Sequence, residues 1–282
     1  MRTCSGPNWT RKGCVWSERR GPAARNGPSP EATVTIVLKL GGSVVTEKDV
    51  PETVDEDRLA SLAAAVAGVD ESLVIVHGGG SFGHHHAAKY DVSVSEGTAD
   101  PVAAREIHDA MIRLNQAVVG SLAAQNVPAL PVQPLSMCAR DGNGTLTLEH
   151  SAIERQLSEG FVPVLHGDVI AHEGEGVSVL SGDELVVGLA NQLAAERVGV
   201  CSSVPGVLDE TGTVIDRIDD GDGLEHVLGE SDATDVSGGM AGKVAALLEL
   251  DVPASIFAPT AIEAFLGGET PGTTVGGGQA GP

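Results

Sequence analysis

Residues 33–43 read TVTIVLKLGGS, and residues 72–84 read SLVIVHGGGSFGH. In each stretch a short run of Val, Ile and Leu stops abruptly at two or three glycines. An apolar run of this length, bounded by glycines, reads as a buried strand. Glycines at a strand's carboxyl end let backbone N–H groups approach an anion closely, and a helix starting there adds a favourable dipole. Either turn alone is a weak signal, because Gly-Gly also makes ordinary tight turns. Neither matches G-x-x-x-x-G-K-[ST] or G-x-G-x-x-G. Together they suggest two anion-binding loops side by side at the carboxyl edge of one sheet, where open α/β folds bind ligands. A phosphoryl-transfer enzyme needs such a pair for donor and acceptor.

Outward from these two units the pattern repeats. Residues 58–67 carry helical spacing, and Asp100-Pro101 is a helix start with proline at the first helical position, opening a long helix to about Asn126. Residues 127–132, 161–165, 198–201 and 254–258 read as further strands. Residues 170–180 read as a hairpin around Gly174 and Gly176, and residues 181–196, 239–250 and 260–266 as helices. Strands alternating with helices over short connections predict an α/β fold: an open, mainly parallel sheet sandwiched by helices. With aromatics at 2 %, the core must be built from Val, Leu, Ile and Ala. No run of about 18 apolar residues is present, so no membrane span is expected.

Charge is unevenly spread. Residues 1–30 hold six basic residues and one acidic, a net of +5, whereas residues 31–282 hold 11 basic and 38 acidic, a net of −27. Residues 1–30 are rich in Arg, Gly and Pro and lack the apolar segment of a secretory signal. They are expected to lie outside the folded unit, as a disordered tail or a translation start placed too far upstream. The remainder, 31–282, is expected to be a single domain. A body this acidic repels nucleic acid and anionic lipid, which excludes both as partners. Abundant Asp and Glu with few Lys and small apolar residues favour a surface solvated in high salt; an ordinary acidic enzyme is the plainer alternative. Cys4, Cys14, Cys138 and Cys201 show no paired short spacing for a metal or redox motif, and a reducing cytoplasm is their simplest home.

After residue 30 the chain has four lysines, Lys39, Lys48, Lys89 and Lys243. Three of them stand beside glycine-rich elements, which in a chain that otherwise avoids lysine points to functional charge rather than solvated surface. His84, His85 and His86 cannot all face one ion on a regular helix, so no metal cluster is expected there. His85 and His86, as helix neighbours of His84, point elsewhere and are expected not to share its role.

These residues carry a resemblance. The Lys39-Leu-Gly-Gly-Ser43 turn, the Val76-His-Gly-Gly-Gly80 loop, Ser181-Gly182-Asp183 and Gly238-Gly239-Met240-x-x-Lys243 resemble the amino acid kinase superfamily. The histidine after Phe82-Gly83, together with Val164-Leu-His-Gly-Asp168, resembles its isopentenyl phosphate kinase branch. The likeness spans about residue 33 to the C-terminus. It implies phosphorylation of isopentenyl phosphate by ATP with Mg²⁺, no protein metal site, and a homodimer. Acceptor binding would fall before about residue 180 and nucleotide binding after it. The same resemblance implies that Lys39 and Lys48 contact the transferring group, and that Leu40, Gly41, Gly42 and Ser43 wrap the ATP phosphates. Gly79 and Gly80 would lie between the two phosphates. Gly83, His84 and Gly167 would bind the acceptor, and Asp183 would hold the lysines. Ser203, Gly238 and Lys243 would serve the nucleotide.

Phosphoryl transfer needs in-line placement and positive charge more than covalent help, which suits such a set. One departure stands out: Ser202-Ser203-Val204-Pro205-Gly206 replaces the family's Thr-Asp-Val-x-Gly, so an acidic contact to the nucleotide is missing. On the long helix, Ile107, Met111, Leu114 and Val118 form an apolar face, either for a prenyl tail or simply for the core. Two other readings remain open. One is a kinase of the superfamily with a carboxylate or other phosphate acceptor. The other is a non-catalytic nucleotide-binding sensor.

Overall fold

The computed structural model of the chain describes residues 34–220 and 239–277. The expectations for residues 1–30, for Cys4 and Cys14 and for Gly238 lie outside the described residues.

In chain order the elements are β1 (Thr35–Leu40), the one-turn α1 (Gly42–Val45), α2 (Glu56–Val66), β2 (Ser72–His77), α3 (Gly80–Lys89), α4 (Pro101–Ala124) and β3 (Ala129–Pro131). Then come β4 (Cys138–Arg140), β5 (Leu146–Leu148), α5 (Ser151–Ser158), β6 (Val162–His166), β7 (Asp168–His172), β8 (Gly176–Leu180) and α6 (Gly182–Gln192). The chain closes with β9 (Arg197–Cys201), β10 (Arg217–Ile218), α7 (Gly239–Leu247), β11 (Ala254–Phe257), α8 (Ile262–Leu266) and β12 (Thr273–Val275). Helix starts follow the local signals. Asp100 accepts a hydrogen bond from the Val102 amide at 2.8 Å ahead of Pro101. Ser181 and Glu184 form a reciprocal capping box, with bonds of 3.1 and 3.0 Å, satisfying N–H groups that a helix end otherwise leaves orphaned.

Among the described residues the main sheet has eight strands, in the order β10-β12-β11-β9-β1-β2-β6-β3. It is parallel throughout except for the antiparallel β11–β12 pair. Side chains alternate across a strand. On β1, therefore, Ile36, Leu38 and Leu40 pack into one core with α2, α4 and α8, and Val37 packs into a second core with α6 and α7. The same alternation puts Lys39 on the α6 side.

Differences from the sequence reading are local. The 127–132 strand shortens to the three residues of β3, and the 181–196 helix ends at Gln192. The hairpin of β7 and β8 joins β4 and β5 in a separate four-stranded sheet, order β5-β4-β7-β8, which the sequence reading does not anticipate. β4 and β5 are three residues each, too short to show a period. Among the described residues no helix is long and apolar enough to cross a membrane.

Candidate active site

Register builds the site. Leu40 lies opposite His77 and Cys201, and His77 lies opposite His166, so four parallel strands end in one row. The residues that follow them, Gly41, Gly78, Gly167 and Ser202, stand side by side along the carboxyl edge and line a cleft of about 700 Å³. The two glycine turns interlock backbone to backbone. A Cβ on Gly42 would come within 2.2 Å of the Gly80 nitrogen. Gly80 itself has φ +48°, and a Cβ there would lie 2.3 Å from Thr46 Oγ1. Only glycine gives this close approach and this left-handed backbone without strain. Thr46 completes the joint: its hydroxyl donates to the Gly42 carbonyl at 2.9 Å and accepts from the Ser81 amide at 3.0 Å. Nothing in the sequence pattern singled Thr46 out.

The structure brings most of the expected residues to this one cleft. Lys39, Gly41, Gly42, Ser43 and Lys48 line it from the first turn; Gly79, Gly80, Gly83 and His84 from the second; Gly167, Asp183, Ser203 and Lys243 from the rest of the edge. Three of the four lysines after residue 30 thus share one wall system. The fourth, Lys89, is paired with Glu106 at 2.6 Å. Leu40 is not part of the wall: its side chain is buried in the α2/α4 core, and its carbonyl accepts from the Gly78 amide at 2.9 Å. The helices α3 and α6 start at Gly80 and Gly182, presenting two N-termini to the cleft, the arrangement that favours anions.

Lys39 and Asp183 form a buried ion pair at 2.6 Å. Asp183 Oδ1, also buried, has no hydrogen-bond partner among the described residues. Lys48 is exposed on the loop after α1, and Lys243 is half-buried on α7. Cys201 also lines the cleft; burial pushes its thiol up to about 12, so it is not a nucleophile.

On the other flank, α3 and α4 pack together. His84 is exposed at the cleft, and so is His85, against the expectation that it points elsewhere; His86 does not line the cleft. A Cβ on Gly83 would meet Met111 Sδ at 2.8 Å, so the missing side chain leaves room for the Met111 side chain to lie over α3. The apolar face of α4 divides. All four side chains are buried, but only Ile107 and Met111 also line the cleft, whereas Leu114 and Val118 serve the core alone.

Beneath this flank lies a polar network that sequence reasoning only half saw. His77 and His166 stack with ring centroids 5.6 Å apart. His77 Nε2 meets Asn115 Oδ1 at 3.3 Å. Burial, reinforced by the neighbouring His166, lowers the His77 pKa to about 3, so the ring is neutral. Asp168, buried beside Gly167, takes His108 Nδ1 at 2.9 Å on both oxygens. That hydrogen bond raises the His108 pKa above its usual value. His108 carried no signal in the sequence, because its partner is 60 residues away.

An open parallel sheet whose carboxyl edge gathers two glycine loops, three lysines and two helix N-termini defines a phosphoryl-transfer class of α/β protein. Residues 34–250 match the amino acid kinase family, and the chain belongs to it. Within that family it groups with the isopentenyl phosphate kinases. The one from the halophile Haloferax volcanii is 57 % identical over 86 % of this chain and 98 % of its own length. That from Methanothermobacter thermautotrophicus is 35 % identical over 86 % and 99 %. A crystal structure of isopentenyl phosphate kinase superposes with a TM-score of 0.69 at 33 % identity, covering 86 % of this chain and all of the other.

Proposed function

We propose that the chain transfers the γ-phosphoryl group of ATP to isopentenyl phosphate, giving isopentenyl diphosphate and ADP, in an isoprenoid route of the archaeal mevalonate type. The observation that carries this reading is one cleft lined both by His84 with the apolar pair Ile107 and Met111 and by Lys39, Lys48 and Lys243. The first set offers a donor for an anion beside apolar side chains; the second offers cations beside the glycine loops. An acceptor with a phosphate head and a short hydrocarbon tail matches the first, and a nucleotide triphosphate the second.

A phosphate monoester loses its second proton near pH ~6, so it attacks as an anion and no general base is required. Its oxygen forms the new bond to the γ-phosphorus while the bond from that phosphorus to the β,γ-bridging oxygen breaks, releasing ADP. His84 holds the acceptor phosphate from the second turn of α3. The glycine backbones of both turns, with Gly167, bring the two phosphates together. Lys39 and Lys48 balance the charge of the transferring group, Asp183 fixes Lys39, and Lys243 and Ser203 serve the nucleotide.

Among the described residues no group of three His, Cys, Asp or Glu is placed to hold a metal. The orphaned Asp183 Oδ1 is a lone carboxylate oxygen of the kind that Mg²⁺ adds to a phosphate-held coordination sphere. Mg²⁺ would therefore be held mainly by the nucleotide phosphates, neutralising their charge. Cys138 and Cys201 are free thiols, in keeping with a reducing cytoplasm. The family resemblance adds a homodimer, which light scattering would report.

A coupled assay of ADP release across isopentenyl phosphate, dimethylallyl phosphate, acetylglutamate, glutamate and UMP tests the reading. Turnover should be highest with isopentenyl phosphate. Preference for a carboxylate acceptor would overturn the acceptor assignment, and no turnover with any acceptor would favour a sensor.

A further inference from the structure

We propose that Glu52 is a positioning residue for phosphoryl transfer, fastening the loop that carries Lys48 to the helices that carry His84 and Met111. The inference rests on the reading of Lys48 as a charge on the transferring group.

Lys48 sits on a short excursion closed at its base by the Thr46–Val54 bridge and by the Glu47 amide donating to the Thr53 carbonyl at 2.9 Å. The excursion contributes Lys48, Asp49 and Pro51 to the cleft, and Lys48 itself is exposed. An ammonium on a flexible four-carbon stem has no fixed position of its own. Its placement depends on the loop.

Glu52 ties that loop down from three directions. Its Oε1 accepts from His86 Nε2 on α3 at 2.5 Å, and its Oε2 accepts from Arg113 on α4 at 2.8 Å. Its own amide donates to the Ser81 carbonyl at 3.3 Å, in the first turn of α3. The backbone at Glu52 has φ +51°, the left-handed region that non-glycine residues rarely occupy. Such a conformation persists where the surroundings over-determine it and gathers at functional sites. The hydrogen bond from His86, followed by Arg113, keeps the carboxyl below its usual range, so it is ionised at neutral pH.

The Arg113 arm of this arrangement adds little stability. The Glu52 and Arg113 side chains are 34 % and 47 % exposed, and pairs this open to solvent add little to folding. What they specify is geometry. Arg113 is two residues from Met111, and His86 is two from His84, pointing away from the cleft into the clamp. His86 therefore has a role that the sequence reading denied it.

The test is a double-mutant cycle between Glu52→Ala and Lys48→Ala, with hydrogen exchange as a second measurement. Glu52→Ala should lower kcat roughly ten- to a hundredfold, with the KM for ATP and the melting midpoint near wild type. Glu52→Gln, which keeps an acceptor oxygen, should recover part of the loss. In the Lys48→Ala background the same change should have no further effect. Exchange at the Glu47 and Thr53 amides should quicken in Glu52→Ala. An unchanged kcat, or losses that multiply in the double variant, would overturn the proposal. The exchange arm uses no substrate. Unchanged exchange refutes the clamp whatever the activity, whereas a wild-type protein that turns over no acceptor refutes the assigned reaction.

Discussion

The Lys39 ammonium and the Asp183 carboxylate meet at 2.6 Å between β1 and α6, with both side chains buried. Breaking a buried pair leaves one charge uncompensated, which typically costs ~3–5 kcal/mol. Asp183→Ala should therefore lower the urea midpoint strongly as well as abolish turnover. The double variant Lys39→Met/Asp183→Leu replaces both charges by apolar groups and should regain much of the stability with no turnover. Equal stability of the single and double variants would show that the pair is not what holds this region.

His84 is assigned to the acceptor phosphate, a hydrogen bond to a charged group. Losing one typically costs ~1.5–3 kcal/mol, or roughly ten- to a hundred-and-fiftyfold. His84→Ala should raise the KM for isopentenyl phosphate or lower turnover by that much, leaving ATP binding near wild type. His84→Gln should recover part. Lys243→Ala should do the reverse, weakening ATP use. Untouched isopentenyl phosphate kinetics in His84→Ala would leave only the general kinase assignment standing.

Two histidines, His77 fully buried and His108 only partly so, make stability depend on pH in opposite directions. His77 falls from 6.5 to about 3 on folding, so its neutral form is required. Its contribution is present above pH 6.5 and is lost as pH falls from there towards 3. His108 is raised above 6.5 by Asp168. Its contribution is fully present below 6.5 and is lost as pH rises through the folded value. Melting midpoints from pH 4 to 9 should show a shallower acid decline in His77→Gln, which retains a partner for Asn115. His108→Gln should remove a decline on the alkaline side. Curves that superpose with wild type would contradict both assignments.

The acidic body, −27 over residues 31–282, repels itself. Molar salt shortens the Debye length to about 3 Å and screens that repulsion. The melting midpoint should rise steeply with KCl, in line with the 57 % identity to a relative from a halophile. A midpoint indifferent to salt would give the acidic surface another cause.

Both glycine turns, the long α4 and the α/β alternation were legible because each rests on local rules. Asp100-Pro101 caps a helix in any context, and an apolar run ending in glycines is a buried strand whatever lies beside it. β4 and β5 were not legible, since three residues carry no period and their pairing is decided by β7. The charge groups behaved likewise. Lys39, Lys48 and Lys243 stood out by scarcity and motif, whereas His108, Thr46 and Glu52 did not, because each matters only through a partner distant in the chain.

The sequence by itself therefore determined the order of elements, the phosphate-type loops and the lysines kept beside them, all consequences of backbone propensity and composition. Tertiary structure alone decided the rest. Strand register set Leu40, His77, His166 and Cys201 in one row, and so turned separate motifs into one cleft. Alternation along β1 aimed Lys39 at α6, the absent Gly83 side chain admitted Met111, and the packing of α3 on α4 brought His86 and Arg113 to Glu52. Hydrogen bonds and ion pairs act over a few ångströms in space, so which residues share them is fixed only when the sheet has formed.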